Sequence, residues 1–120
     1  MPTLVTEKAR QGLTFLLEET VLDRLLPKAR FRTVLLSHLG HEKELLLAQK
    51  YDLAAVIGGH SHKRMQKMVG TTFYSQAGSR GSLVGVVEMG EKTSGRFVKV
   101  NPKDGEDPQV QQIIDLYTPE

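Results

Sequence analysis

Cysteine is absent from this 120-residue chain, which excludes disulfides and thiolate metal sites and leaves the redox compartment open. Long apolar runs are missing too. No stretch approaches the roughly 18 residues that span a bilayer, and no basic-then-apolar leader opens the chain. The sequence therefore reads as neither membrane-crossing nor secreted, and its localisation is otherwise open. An excess of charge of one sign is also lacking: 16 Lys and Arg stand against 14 Asp and Glu, for a net +2. A balance this even argues against nucleic-acid binding through bulk charge. Aromatics are scarce, at 6%, and no stacking platform accompanies the basic residues Lys63–Lys67 and Arg80, which also argues against single-stranded nucleic acid. Repeats, low-complexity tracts and linkers are absent. What remains, 39% apolar and 25% charged, is the composition of an ordinary globular domain. Residues 1–120 read as a single α/β domain, long enough for a modest core.

Along the chain, residues 1–11 are polar and without period, a loose lead-in. Leu13, Leu16, Leu17, Val21, Leu22, Leu25 and Leu26 recur at helical spacing, and Pro27 ends the pattern. The run Val34-Leu35-Leu36 suits a short strand buried on both faces. Residues 42–50 are strong helix formers, with acids early and Lys50 late, as the helix dipole favours. Leu53 to Ile57 gives a second buried strand. Strand, helix and strand in so few residues form a βαβ unit, whose strands run parallel. Lys63–Lys67 reads as a basic loop. Strands follow at Thr72–Gln76, Ser82–Met89 and Arg96–Val100, the last two pairing as an antiparallel hairpin. Asp107-Pro108 is an N-cap followed by a first-turn proline, and Val110, Ile113, Ile114 and Tyr117 form the apolar face of a closing helix.

All four histidines, His38, His41, His60 and His62, fall between residues 33 and 62. His38 follows the first strand of the βαβ unit, and Gly58-Gly59-His60-Ser61-His62 follows the second. Neighbouring parallel strands lie about 4.8 Å apart and end at the edge where open α/β sheets bind ligands, so His38 and His60 can reach one point. His62 can face a second one. Histidine is the commonest metal ligand among side chains, and paired divalent ions about 3.5–4 Å apart act on phosphate esters. His41 is a supporting or exposed residue at the helix start. Gly58 and Gly59 either form a tight turn or let backbone approach a bound group. Arg80, between two glycines, either contacts phosphate or forms a surface ion pair.

The segments Ser37-His38-Leu39-Gly40, Gly58-Gly59-His60-Ser61-His62 and Gln76-Ala77-Gly78-Ser79-Arg80-Gly81, in this order and spacing, resemble the calcineurin-like metallophosphoesterases, and within them the 5′-nucleotidase branch. The resemblance spans roughly residues 13–117 and covers the C-terminal half of that catalytic domain. It implies a two-sheet sandwich flanked by helices, and hydrolysis of nucleotides or other phosphate esters by a metal-activated water. It also implies two divalent ions (manganese, zinc, iron or similar), with His38 and His60 on one and His62 on its neighbour. The early motifs of the family, Asp-x-His, Gly-Asp and Gly-Asn-His-Asp/Glu, have no counterpart, since residues 1–32 hold no His, no Asn and one Asp, Asp23. Two readings follow. The chain is a phosphoesterase fragment or subunit completed by another chain or segment, or it is a non-catalytic module for metal binding or protein interaction, with a homodimer among its forms.

Overall fold

The computed structural model describes residues 14–119 as a mixed α/β fold in three layers. Helix α1 (Glu18–Leu25) runs into a 3₁₀ turn (Leu26–Lys28). The central sheet follows: β1 (Val34–Leu36), helix α2 (His41–Lys50), β2 (Ala55–Gly58), β3 (Arg64–Val69) and β4 (Thr72–Ala77). A two-stranded ribbon of β5 (Leu83–Met89) and β6 (Thr93–Lys99) comes next, then a 3₁₀ turn (Pro102–Asp104) and α3 (Pro108–Tyr117). The spatial order of the central sheet is β1-β2-β4-β3.

The βαβ reading holds: β1 and β2 are parallel, with Leu35 opposite Val56. Parallel pairing then continues beyond it, because β4 lies parallel on the other side of β2, with Val56 opposite Tyr74. Lys63–Lys67 is corrected from a loop to a strand: β3 pairs antiparallel with β4 through the turn Gly70-Thr71. Its charges suit the rim, since an outermost strand carrying Arg64 and Lys67 discourages pairing with another chain.

One face of the sheet carries Leu35, Val56 and Tyr74, and α2 packs on it through Leu47 and Ala48 to make the core with Leu53. The ribbon covers the other face over β4. Gly95 makes this approach possible: a Cβ there would stand 2.7 Å from a ring carbon of Phe73 and 2.8 Å from the Val86 carbonyl oxygen. Gln66 stitches the layers, donating from Nε2 to Ser75 Oγ and to the Arg96 carbonyl, each at 3.1 Å. The Arg32 guanidinium ties the ribbon turn down, donating to Gly90 O at 2.7 Å and Thr93 Oγ1 at 2.6 Å.

Three further expectations are corrected. β1 is an outermost strand, not one buried on both faces: Leu36 is 77% exposed, because the ribbon sits over β4 and stops short of β1. The first helix begins at Glu18, after an extended Leu17, and Leu13 and the lead-in 1–11 lie outside the described residues. Acids in its first turn, Glu18 and Glu19, also pair with Lys43 and Lys50 of α2. Helix α3 forms as expected, with Asp107 Oδ1 accepting from Gln109 N and Val110 N. It closes nothing, however, and Val110, Ile113, Ile114 and Tyr117 stay exposed. No helix among the described residues is long and apolar enough to cross a membrane.

Gly95→Ala should destabilise the fold by about 1–3 kcal/mol, the usual range for forcing a methyl into a packed contact. Urea unfolding of the purified chain checks this, and a wild-type midpoint would show that the ribbon does not press on Phe73.

Candidate functional site

Three parallel strands, β1, β2 and β4, end at one edge of the sheet, and most residues singled out from the sequence stand in the loops that leave them, with Gly58 ending β2 and His41 opening α2. His38 stands in the loop after β1, Gly59, His60 and His62 in the loop after β2, and Arg80 in the turn after β4. Ser37 N donates to Ile57 O at 2.9 Å, so the β1–β2 ladder runs right up to the histidines.

His38 and His60 meet. His38 Nε2 lies 3.2 Å from His60 Nδ1, with the rings 4.9 Å apart between centroids and nearly perpendicular. One nitrogen of this pair carries the shared proton and the other accepts it. Two ligand nitrogens 3.2 Å apart, each about 2.0–2.1 Å from a zinc-sized ion, subtend roughly 100° at it, between the octahedral and tetrahedral angles. That spacing matches two positions of one ion, provided the donor ring gives up its proton and both rings turn their lone pairs toward one point. A Cβ at Gly59 would sit 3.7 Å from His38 Nδ1, an ordinary contact, so space does not require glycine there.

His62 and Arg80 stay exposed and do not join the pair. Among the described residues no three His, Asp or Glu side chains form a metal-sized group, and Arg80 forms no ion pair. Among the described residues, His62 (φ 58°) and Arg80 (φ 61°) are the non-glycine residues held in the left-handed region, a conformation that costs energy and concentrates at functional loops. His41 opens α2, half-buried.

Beneath the histidines lies a set of buried polar residues that the sequence reading missed. Glu44 is fully buried. Its Oε1 accepts from Leu39 N at 3.2 Å, and its Oε2 accepts from the Tyr74 hydroxyl at 2.7 Å. Tyr74 Oη accepts in turn from Gln76 Nε2 at 2.8 Å, and Gln76 Oε1 accepts from Ser61 Oγ at 3.0 Å and Lys63 N at 2.8 Å. The backbone donor at Lys63 fixes the orientation of the Gln76 amide, because only the oxygen can accept there. Gly58 is the space this needs: a Cβ would fall 2.2 Å from Glu44 Oε2 and 2.8 Å from the Tyr74 oxygen. The signal was present in the sequence, since Glu44 shares the i, i+3, i+4 face of α2 with Leu47 and Ala48.

Two concavities flank this architecture. One of about 260 Å³ lies beside His38, walled by Val21, Leu22, Leu35, Leu36 and Leu47. A cleft of about 710 Å³ opens at the opposite sheet edge among Arg32, Asp52, Thr71 and Lys92. It is larger but no histidine lines it. No family model matches the chain, and neither a curated protein nor a solved structure shows significant similarity to it.

Burial, followed by the bond to Glu44, raises the Tyr74 hydroxyl far above its ordinary value. The folded chain thus holds this proton at a pH where the unfolded chain releases it, so stability from this group is complete below about pH 10 and declines above it. Tyr74→Phe should cost about 1–3 kcal/mol at neutral pH by stranding buried partners, and should flatten the decline above pH 10. Denaturant unfolding between pH 7 and 11 measures both effects.

Proposed function

We propose that this chain is the histidine-bearing half of a metal-dependent phosphoesterase of the 5′-nucleotidase type, acting on a nucleotide or another phosphate monoester. One observation carries the reading: two imidazole nitrogens from the ends of adjacent parallel strands are held 3.2 Å apart at one edge of the sheet. His38 and His60 take one divalent ion, and His62, aimed separately by its left-handed backbone, serves a neighbouring one. A divalent ion supplies an activated water and neutralises charge on the phosphoryl oxygens. The protein's own share is to present the lone pairs and to exclude competing geometry. Arg80, exposed at the same edge, meets the anionic substrate.

Two imidazoles leave most of a coordination sphere unfilled, and Glu44 cannot complete it, since both its oxygens are engaged beneath the loops. A second chain or segment supplies the bridging carboxylate that paired ions require.

The reading predicts that cobalt(II) or zinc binds the isolated chain at one site, and that His38→Ala or His60→Ala weakens binding at least tenfold. His62→Ala should leave this first site nearly unchanged. Titration calorimetry at pH 7.5 checks the set, and equal affinity of all three variants would sink it. Aryl phosphate turnover by the isolated chain should stay at the level of the metal-free blank, and robust turnover lost in His60→Ala would show the site to be complete on its own.

A second reading, a non-catalytic interaction module, draws on exposed apolar side chains. Leu36 of β1, Val84 and Val98 on the outer ribbon face, and Ile113 of α3 are each more than 45% exposed, and Val84 and Val98 lie directly opposite each other across the ribbon. Sedimentation velocity separates the two: concentration-dependent association that survives His60→Ala supports it, and a strict monomer without metal affinity removes both.

A further inference from the structure

Metal ligands work only at set spacings, and the two ligand-bearing loops here stand on exposed ground. His38 and His60 are themselves exposed, so packing around their rings does not hold them. What joins the loops lies underneath. From Leu39 N, beside His38, the hydrogen bonds run through Glu44, Tyr74 and Gln76 to Ser61 and Lys63, on either side of His62 and just beyond His60. Every member between the ends is buried: Glu44, Tyr74 and Gln76 are each at most 1% exposed.

The relay has one direction. Gln76 gives its amide hydrogen to Tyr74, Tyr74 gives its hydroxyl hydrogen to Glu44, and Glu44 accepts at both oxygens. If the middle were reversed, Gln76 would turn its oxygen toward Tyr74 and set its amide N–H against the Lys63 N–H, which needs an acceptor. A carboxylate is the side chain of this length that offers two acceptors and no donor.

We propose that Glu44 is a positioning residue for the histidine pair: its carboxylate ties the loop of His38 to the loop of His60 and sets the spacing at which both rings face one ion. The inference rests on the metal-site reading for its purpose, and on the buried hydrogen bonds for its mechanism. Glu44→Gln is the discriminating change. It keeps the size of the side chain but offers one acceptor and one donor where two acceptors are needed. It either opposes the Leu39 N–H or reverses Tyr74, and each outcome moves one histidine loop.

Two readouts keep this proposal separable from the metal site itself. Long-range ¹H–¹⁵N spectra of the metal-free chain report the tautomers and mutual hydrogen bond of His38 and His60. Cobalt(II) titration reports ligand spacing. In Glu44→Gln the ring-nitrogen signals of both histidines should shift and cobalt affinity should fall about tenfold or more. Gly95→Ala, which strains the ribbon contact on the far face of the sheet, should destabilise the fold while leaving both readouts at wild-type values. If Glu44→Gln leaves both unchanged, the positioning role is overturned whatever the metal result. If the wild type binds no cobalt but the variant still shifts the ring signals, the metal reading fails and the positioning role stands. Should Glu44→Gln not fold, Ser61→Ala at the outer end of the relay takes its place, with the same shift and weakening expected and the same null result decisive against it.

Discussion

Glu44 is an acidic side chain with no exposed surface, and much of the histidine-bearing edge follows from how that burial is tolerated. Burying a carboxylate is strongly unfavourable unless hydrogen bonds replace the water it loses. Here the replacements come from a backbone N–H in one loop and a tyrosine hydroxyl on the central strand. Among the described residues no buried side-chain polar atom lacks a partner. The requirement reaches outward in both directions. Gly58 must lack a side chain, Tyr74 must donate, and Gln76 must turn its oxygen to Ser61 and Lys63. A polar set this complete specifies one arrangement of the loops, whereas apolar contacts of the same volume would accept several.

Sheet topology explains why those loops are neighbours. With β1, β2 and β4 all parallel, three successive loops open at one edge, and residues as distant in the chain as His38 and Arg80 share it. The antiparallel β3 holds β4 from the side, and the ribbon packs on it from above. The ribbon lies close because glycine faces the Phe73 ring at position 95. Its limited reach leaves β1 open on one face and at its edge, beside the apolar concavity next to His38. The exposed flank of β1 and the His38–His60 pair thus lie on the same side of the fold.

Much was legible beforehand. Apolar runs ending at His38 and at Gly58-Gly59 marked two strand ends. The helix formers between them marked the crossover, and a crossover of that length makes the strands parallel neighbours. Convergence of His38 and His60 follows from that logic alone. Asp107-Pro108 announced the last helix through its capping chemistry. Lys63–Lys67 misled because charge outweighed alternation: a rim strand tolerates Arg and Lys on its open side, so its composition resembles a loop.

Local pattern by itself therefore determined the elements, the βαβ unit and the pairing of two histidines, since these depend on residues close in sequence or on rules of strand connection. Only the tertiary structure decided that β4 joins the parallel set, that β1 lies at the rim, and that Glu44, Tyr74 and Gln76 form one relay. The reason is physical. A buried hydrogen bond depends on which side chains share a desolvated space, and residues 44, 74 and 76 come to share theirs only after α2 lies down across β2 and β4.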